Sequence, residues 1–166
     1  YDALHGSGTG AGNIGIGRNV MGGAVTGNYN VGLGYTSLSA LTAGVNNVAI
    51  GLNAGNNLTT GSNNIFIGAS AAASAAGVSN ELNIGNWIYG ASGNIGIATL
   101  TPTEKLDVNG NVRFSGALMP NNAAGTAGQV LTSAGAGTSP TWTNPVGGSN
   151  GWALTGNTAT VPATNF

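Results

Sequence analysis

The carboxylates and the histidine are the first candidates for acid–base chemistry, and this sequence has four carboxylates and one histidine. Cleavage of a glycosidic bond needs two carboxylates on opposite sides of that bond. Glu104 and Asp107 are the only two that lie close together in the sequence, whereas Asp2 and Glu81 are isolated. His5 lies in a glycine-rich stretch without a neighbouring nucleophile or acid. The sequence therefore predicts that the chain is not an enzyme, with carboxylate pairs formed between subunits as the remaining alternative.

The composition is poor in charge and rich in glycine. Of 166 residues, three are basic, four are acidic and 31 are glycine. A soluble monomer ordinarily keeps a mixed charged surface, so a nearly uncharged chain indicates that other chains cover much of it. Because no basic patch is present and no apolar run is long enough to span a membrane, we expect neither a nucleic-acid partner nor membrane insertion. We also expect no cofactor and no metal, because the chain lacks cysteine and its turns carry Asn, Thr and Gly instead of the aspartates of calcium-binding rolls.

A short strand pattern that recurs every 17 residues predicts the elements that position these side chains. Each copy reads apolar, any residue, apolar, glycine, and repetition at a fixed short period is typical of stacked solenoids. In a strand the two apolar residues share one face and the residue between them lies on the other. We assign the apolar positions to the core of the repeat: Ile14, Ile16, Val31, Leu33, Val48, Ile50, Ile65, Ile67, Leu82 and Ile84.

The residue between the two apolar positions predicts a second face of the strand. Gly15, Gly32 and Ala49 are small enough to admit another backbone, while Phe66 and Asn83 follow in the later copies. We expect this face to meet a neighbouring copy of the chain, with a solvated face as the alternative.

A column of asparagines precedes the strands, at Asn13, Asn30, Asn47 and Asn64, and ends with Glu81 in the fifth copy. Amides stacked in register can hydrogen-bond to one another, which predicts an asparagine ladder. Asparagines are also turn formers, and both interpretations are compatible if the column runs along a corner.

Two short strands in each 17-residue turn predict a parallel β-roll. The few apolar side chains of one turn do not offset the conformational entropy lost in ordering its backbone. We therefore expect the roll to gain stability by packing against copies of itself, with three rolls around a shared axis as the natural arrangement for a fibre.

The repeat resembles a known family. Asn47–Gly51 and Gly61–Gly68 resemble the head repeats of trimeric adhesins and of modular phage tail fibres. In that family three chains form left-handed parallel β-rolls side by side. Ser79–Gly90 resembles the segment that closes such rolls. The repeat here is a few residues longer than the usual adhesin head repeat, so the details of its turns do not carry over.

The resemblance continues beyond the roll. Gly93–Ile97 and Thr101–Gly110 are similar to the connector of modular fibres, although Ala98-Thr99 stands where the family usually has Gly-Thr. Segments in the last third resemble β modules of a fibre shaft, namely Ala127–Ser133, Pro140–Thr143 and the unfinished stretch from Gly151 to Phe166. Such proteins often end in a self-cleaving chaperone that this sequence lacks, so we expect a longer parent chain.

These observations predict an all-β fold, a trimeric parallel β-roll (β-solenoid) with 17-residue repeats, followed by a neck and a β-rich fibre shaft. The expected divisions are an N-terminal extension at 1–11, the β-roll at 12–98, a neck or connector at 99–116, and an incomplete shaft at 117–166. The neck holds four of the seven charges, which either pair between chains or belong to a solvated loop with a short strand at Asn111–Phe114.

The resemblance implies a structural and adhesive function outside the cell. We expect a homotrimeric tail fibre or spike of a virion that contributes to host attachment; the alternatives are a bacterial cell-surface trimeric adhesin and, more remotely, a segment of a glycan-depolymerising tailspike. Its partners would be copies of itself, other fibre, baseplate or capsid proteins, and a host-surface glycan or envelope protein.

Aromatic residues dominate recognition surfaces, so the candidate surface contacts are Tyr29, Tyr35, Trp87 and Tyr89. Each has packing between subunits as its alternative, and we favour packing for Trp87. The uniform repeat also admits a pure spacer, especially over residues 27–77.

Overall fold

The computed structural model describes residues 8–145. The predicted N-terminal extension with Asp2 and His5, and the module expected after Gly151, lie wholly or partly outside these residues. The chain divides into two compact units, the first ending at Val112 and the second beginning at Arg113. Each unit is described by itself.

The first unit is one eight-stranded sheet. Strands β1 to β5 pair in parallel, β5–β6 and β6–β7 are antiparallel, and β7–β8 is parallel. β1 to β5 form a β-solenoid of about four turns, and the described residues contain no α-helix, which confirms the all-β class. The strands are β1 Ile14–Ile16, β2 Val31–Leu33, β3 Val48–Ile50, β4 Ile65–Ile67, β5 Leu82–Ile84, β6 Ile88–Ala91, β7 Asn94–Ile97 and β8 Leu106–Val108.

Glycine ends each of the first four strands because the chain turns there with a positive φ. The angle is +127° at Gly34 and +134° at Gly51, in a region that side-chain-bearing residues rarely adopt. A Cβ placed on Gly34 would also lie 2.5 Å from the carbonyl oxygen of Gly51 in the next turn. The glycine of the strand pattern is therefore required both by the turn and by the close stacking of successive turns.

The solenoid core lies on the face opposite to the one assigned from the sequence. The ten aliphatic residues assigned to the core face outward and are partly or well exposed, with Ile14 at 53% and Ile16 at 61%. The central residues of the strands face inward instead, and Ala49 and Phe66 are completely buried. The face with the small residues Gly32 and Ala49 therefore meets the returning segments of the same chain and not a neighbouring copy.

The returning segments explain this arrangement because they bring large side chains over the inner face. The buried residues they supply include Val20, Met21, Leu38, Leu41 and Leu58. A Cβ on Gly32 would lie 2.5 Å from Cγ1 of Val20, so little space remains for a strand side chain there.

In the fourth strand the inward residue is the large Phe66, whereas the inward residues of the first three strands are small. A Cβ on Gly55 would lie 2.8 Å from the Phe66 ring, so the returning segment is smallest where the strand residue is largest. Large and small residues thus alternate across the core to keep it filled.

The second unit contains a two-stranded antiparallel sheet and a short 3-10 helix. Its elements are β9 Val130–Thr132, β10 Thr141–Thr143 and the helix Pro120–Asn122. Trp142 fixes this unit, because its indole Nε1 donates to the carbonyls of Ala123 at 3.0 Å and Leu118 at 3.2 Å.

The segment predicted as a neck is divided between the two units. Its strand is Leu106–Val108, which extends the sheet of the first unit, and the short strand expected at Asn111–Phe114 is not formed. The interpretation of the sequence placed the strand too late, because it relied on Val112 and Phe114 and not on the alternation at 106–108.

Candidate functional site

The main feature of the first unit is an uninterrupted apolar surface on the outer side of its sheet, here called the apolar face. The strand registers arrange it as two columns, each crossing all eight strands. The first column contains Ile14, Val31, Val48, Ile65, Leu82, Gly90, Ile95 and Leu106. The second contains Ile16, Leu33, Ile50, Ile67, Ile84, Ile88, Ile97 and Val108. No charged or polar side chain interrupts either column.

The apolar face continues where the chain reverses direction. The antiparallel register pairs Ile84 with Ile88 and Leu82 with Gly90, so the outward positions stay outward through the hairpin. β8 then adds Leu106 and Val108 to the same surface. The resemblance predicts Ser79–Gly90 as the segment that closes the roll, and the spacing of 17 stops there. The two-residue alternation at Ile95 and Ile97 survives the change of spacing, and it marks the strand that continues the apolar face.

The extent of this surface is unusual for a free monomer. At about 4.8 Å between strands, eight strands make the apolar face roughly 34 Å long. Eleven of its fifteen aliphatic side chains are exposed. Contiguous exposed apolar patches of this kind mark interaction sites.

The asparagine column forms a continuous amide ladder inside the solenoid. The Nδ2 of Asn47 donates to Oδ1 of Asn30 and to the Gly61 carbonyl, both at 2.9 Å. Its Oδ1 accepts from the backbone N–H and the side-chain amide of Asn64 at 3.1 and 2.9 Å. Asn30, Asn47 and Asn64 are completely buried, whereas Asn13 at the first turn is half-buried. The ladder therefore satisfies polar groups that water does not reach.

Glu81 ends the ladder. Its backbone N–H donates to Oδ1 of Asn64 at 2.9 Å, as an asparagine in this column would. Its buried carboxylate then accepts from the backbone N–H of Ser74 at 3.0 Å and from the Ser74 hydroxyl. The longer side chain of Glu81 thus reaches a donor in its own turn. An asparagine at this position would require a further turn as its partner.

The four candidate surface contacts do not form one cluster. Tyr29 and Tyr35 lie before and after the same strand, with 65% and 45% of their surface exposed, and Trp87 lies in the turn between β5 and β6. The Arg18 guanidinium is 5.8 Å from the centre of the Tyr35 ring, in range for a cation–π contact.

Tyr89 is wrong as a surface contact. It lies on the inner face of β6 and is only 8% exposed. Burial, and secondly the negative charge of Glu81, raise the pKa of the Tyr89 hydroxyl above its ordinary value. The sequence alone does not indicate which residues of this hairpin face inward and which face outward.

The described carboxylates serve local hydrogen bonds. Asp107 accepts from the backbone N–H of Thr103 at 3.1 Å and from its hydroxyl at 3.3 Å, and Glu104 is exposed. Within residues 8–145, no three side chains of the metal-binding types come together, and no helix has the length and apolarity needed to cross a bilayer.

Comparisons with protein-family models, with curated proteins and with solved structures give no match for this chain. The class of the protein is therefore set by its own geometry: an all-β protein whose first unit is a β-solenoid with a broad apolar face.

Proposed function

We propose that the chain is a structural and adhesive fibre protein. It forms a homotrimeric appendage that projects from a virion as a tail fibre or spike and contributes to attachment to a host surface. The apolar face carries this proposal, because a surface of this extent in a chain with seven charges needs a partner to cover it. The resemblance of the repeats to phage tail fibres and trimeric adhesins points to copies of the same chain as that partner.

The energetics favour association through the apolar face. Complete burial of an aliphatic side chain contributes about 1.5–3 kcal/mol, and roughly half of that remains available for each of eleven exposed side chains. Covering them contributes on the order of 10 kcal/mol per chain, which is comparable with the cost of about 4–15 kcal/mol for losing translational and rotational freedom. Burial of the apolar face can therefore offset the cost of association.

A fibre also restricts the symmetry of that assembly. All chains must run in the same direction so that equivalent 17-residue turns of the solenoid lie side by side at the same height. A rotation axis parallel to the solenoid meets this condition, and three apolar faces around such an axis bury one another. The proposed fibre therefore requires parallel chains, and the proposed trimer meets that requirement.

In this fibre residues that flank the strands, outside the apolar face, would carry recognition. Tyr29 and Tyr35 expose large aromatic surface away from the strand core, and Arg18 adds a cation beside Tyr35. Aromatic and arginine side chains are enriched where proteins bind partners. We place the contact with a host glycan or envelope protein on these residues, outside the cell.

The first experiment measures the molar mass of the protein under native conditions by sedimentation equilibrium. Three chains of 16.0 kDa predict about 48 kDa, and a mass of one chain at micromolar concentration would overturn the proposal.

The second experiment measures binding of the same protein to host cells and glycan arrays. Tyr35→Ala should weaken binding, and Phe114→Ala, which removes an exposed aromatic outside the solenoid, should not. No binding to any tested surface would leave a spacer without adhesion.

A further inference from the structure

Asn109 and Gly110 form an Asn-Gly pair directly after β8. The sequence contains two such pairs, and this one lies within residues 8–145. An asparagine can lose its side-chain amide when the backbone nitrogen of the next residue attacks Cγ and closes a succinimide ring. Glycine obstructs this attack least, because it has no side chain and the greatest backbone freedom. The pair is therefore the first candidate in the described chain for a covalent change.

The structure leaves the reacting groups of this pair accessible. Both residues are exposed, and nothing lies within 4 Å of the position that a Cβ on Gly110 would occupy. The Gly110 N–H donates to no backbone carbonyl of the described residues. The Asn109 side chain is held by one hydrogen bond, from its Nδ2 to the Ala98 carbonyl at 3.3 Å, which is long for an N–H···O bond. Nucleophile and target are thus both free to approach each other.

The ladder asparagines show the opposite arrangement. Asn47 and Asn64 are completely buried, and a β-branched residue follows each of them. The N–H of Val48 donates to the Asn64 carbonyl at 2.8 Å. The N–H of Ile65 donates to the Glu81 carbonyl at 2.9 Å. The nitrogen that would have to attack is therefore already engaged in a hydrogen bond between turns.

Asn111 separates the effect of exposure from the effect of the following residue. It is exposed and lies in the same segment after β8 as Asn109. Its C-terminal neighbour is Val112, whose branched side chain crowds the attacking nitrogen. Exposure alone does not distinguish Asn109, but exposure together with a following glycine does.

We propose that Asn109 is a site of spontaneous deamidation in this protein. The Gly110 nitrogen forms a bond to Cγ of Asn109, the bond between Cγ and Nδ2 breaks, and ammonia leaves with the proton that the Gly110 nitrogen gives up. Water then opens the succinimide at either of its carbonyls. The product is aspartate, or isoaspartate with the backbone passing through Cβ. Water is the only co-reactant, and nothing is oxidised or reduced.

The product differs from the natural chain in charge and in backbone. The added carboxylate moves the formal net charge from −1 to −2, and the amide that donates to the Ala98 carbonyl is lost. Isoaspartate also adds one methylene to the backbone next to the Asn109 N–H, which donates to the Ile97 carbonyl at 3.0 Å. Both changes weaken the attachment of the end of β8 to β7. β8 carries Leu106 and Val108 of the apolar face.

The reaction is tested by incubating the natural protein at neutral and at mildly alkaline pH in isotopically labelled water. Peptide mass spectrometry should show loss of the amide and uptake of labelled oxygen at Asn109, while Asn111 and Asn47 keep their amides. The loss should be faster at the higher pH, because the attacking nitrogen must give up its proton. An isoaspartyl methyltransferase should label the product, and isoelectric focusing should show an acidic shift.

Two variants and a reference peptide make the outcome decisive. Gly110→Ala should slow the reaction, and Asn109→Gln should remove the early acidic shift. A peptide of residues 104–114 gives the rate for the same sequence without the fold. If the folded protein keeps the Asn109 amide while this peptide loses it, or if Asn111 reacts as fast as Asn109, the inference is wrong. Neither result bears on the proposed homotrimer, which the native molar mass tests separately.

Discussion

Replacement of a buried ladder asparagine should destabilise the solenoid more than any single hydrogen bond suggests. Asn47→Ala removes four side-chain hydrogen bonds, two donated and two accepted, at 2.9 to 3.1 Å. At about 1 kcal/mol net for each bond, the loss is about 4 kcal/mol. The true cost should lie at or above this value, because the buried amide of Asn64 and the Gly61 carbonyl lose a partner that water does not replace.

Asn13→Ala is the matched control, since the same residue type is replaced at the half-buried first turn. That change removes three hydrogen bonds, but it does so at the open end of the ladder, where water can take the place of the half-buried Asn13 amide, so we expect about 1 kcal/mol. Urea unfolding of both variants, followed by circular dichroism at one protein concentration, measures the difference. Equal losses of unfolding free energy in the two variants would refute the view that the ladder stabilises the fold by satisfying buried groups.

Three further perturbations test other parts of the structure. Gly34→Ala should lower the unfolding free energy by about 2 kcal/mol or more, because it combines a strained φ with a close backbone contact. The control is Gly85→Ala, which has nothing within 4 Å of the added Cβ and should cost about half as much. Urea unfolding measures both. Ile50→Lys on the apolar face should convert the trimer to folded monomers in sedimentation experiments, and Leu52→Lys should not; a trimeric Ile50→Lys variant would argue against that face as the interface. The raised pKa of Tyr89 means that the folded state holds its proton more tightly than the unfolded state, so stability should be constant below about pH 10 and fall as the pH rises above it. Melting temperatures between pH 8 and 11 should show this fall in the natural protein and a smaller one in Tyr89→Phe.

The sequence predicted the strands well because two independent signals coincide in them. Alternation over two residues and repetition over 17 residues locate β1 to β5 at the positions where the structure has them. The asparagine positions share that spacing, so the ladder could be predicted as well.

The side of the strand that faces inward could not be predicted from the same signals. Strand residues alone favour the aliphatic positions as core, since burial of isoleucine is more favourable than burial of glycine or alanine. The returning segments decide otherwise, because they bring large side chains such as Met21 and Leu38 over the inner face. These two residues are 17 apart, but Gly55 follows them in the same column, so residue size along the column gives no uniform signal. Tyr89 was misplaced for a related reason, because the hairpin reverses the chain without changing which positions face outward.

The uniform register of the ladder has a consequence for how this protein can vary in length. Each amide accepts from the turn that follows it and makes the same bonds in the inner turns, so one turn can replace the next within the ladder, although the core side chains differ from turn to turn. Deletion of residues 31–47 would join Asn30 to Val48 and restore every column of the structure. The product would be shorter by one strand spacing, about 4.8 Å. Duplication of the same segment would lengthen it by that amount, so gene slippage in units of 51 nucleotides could adjust the length of the solenoid while the ladder bonds stay the same.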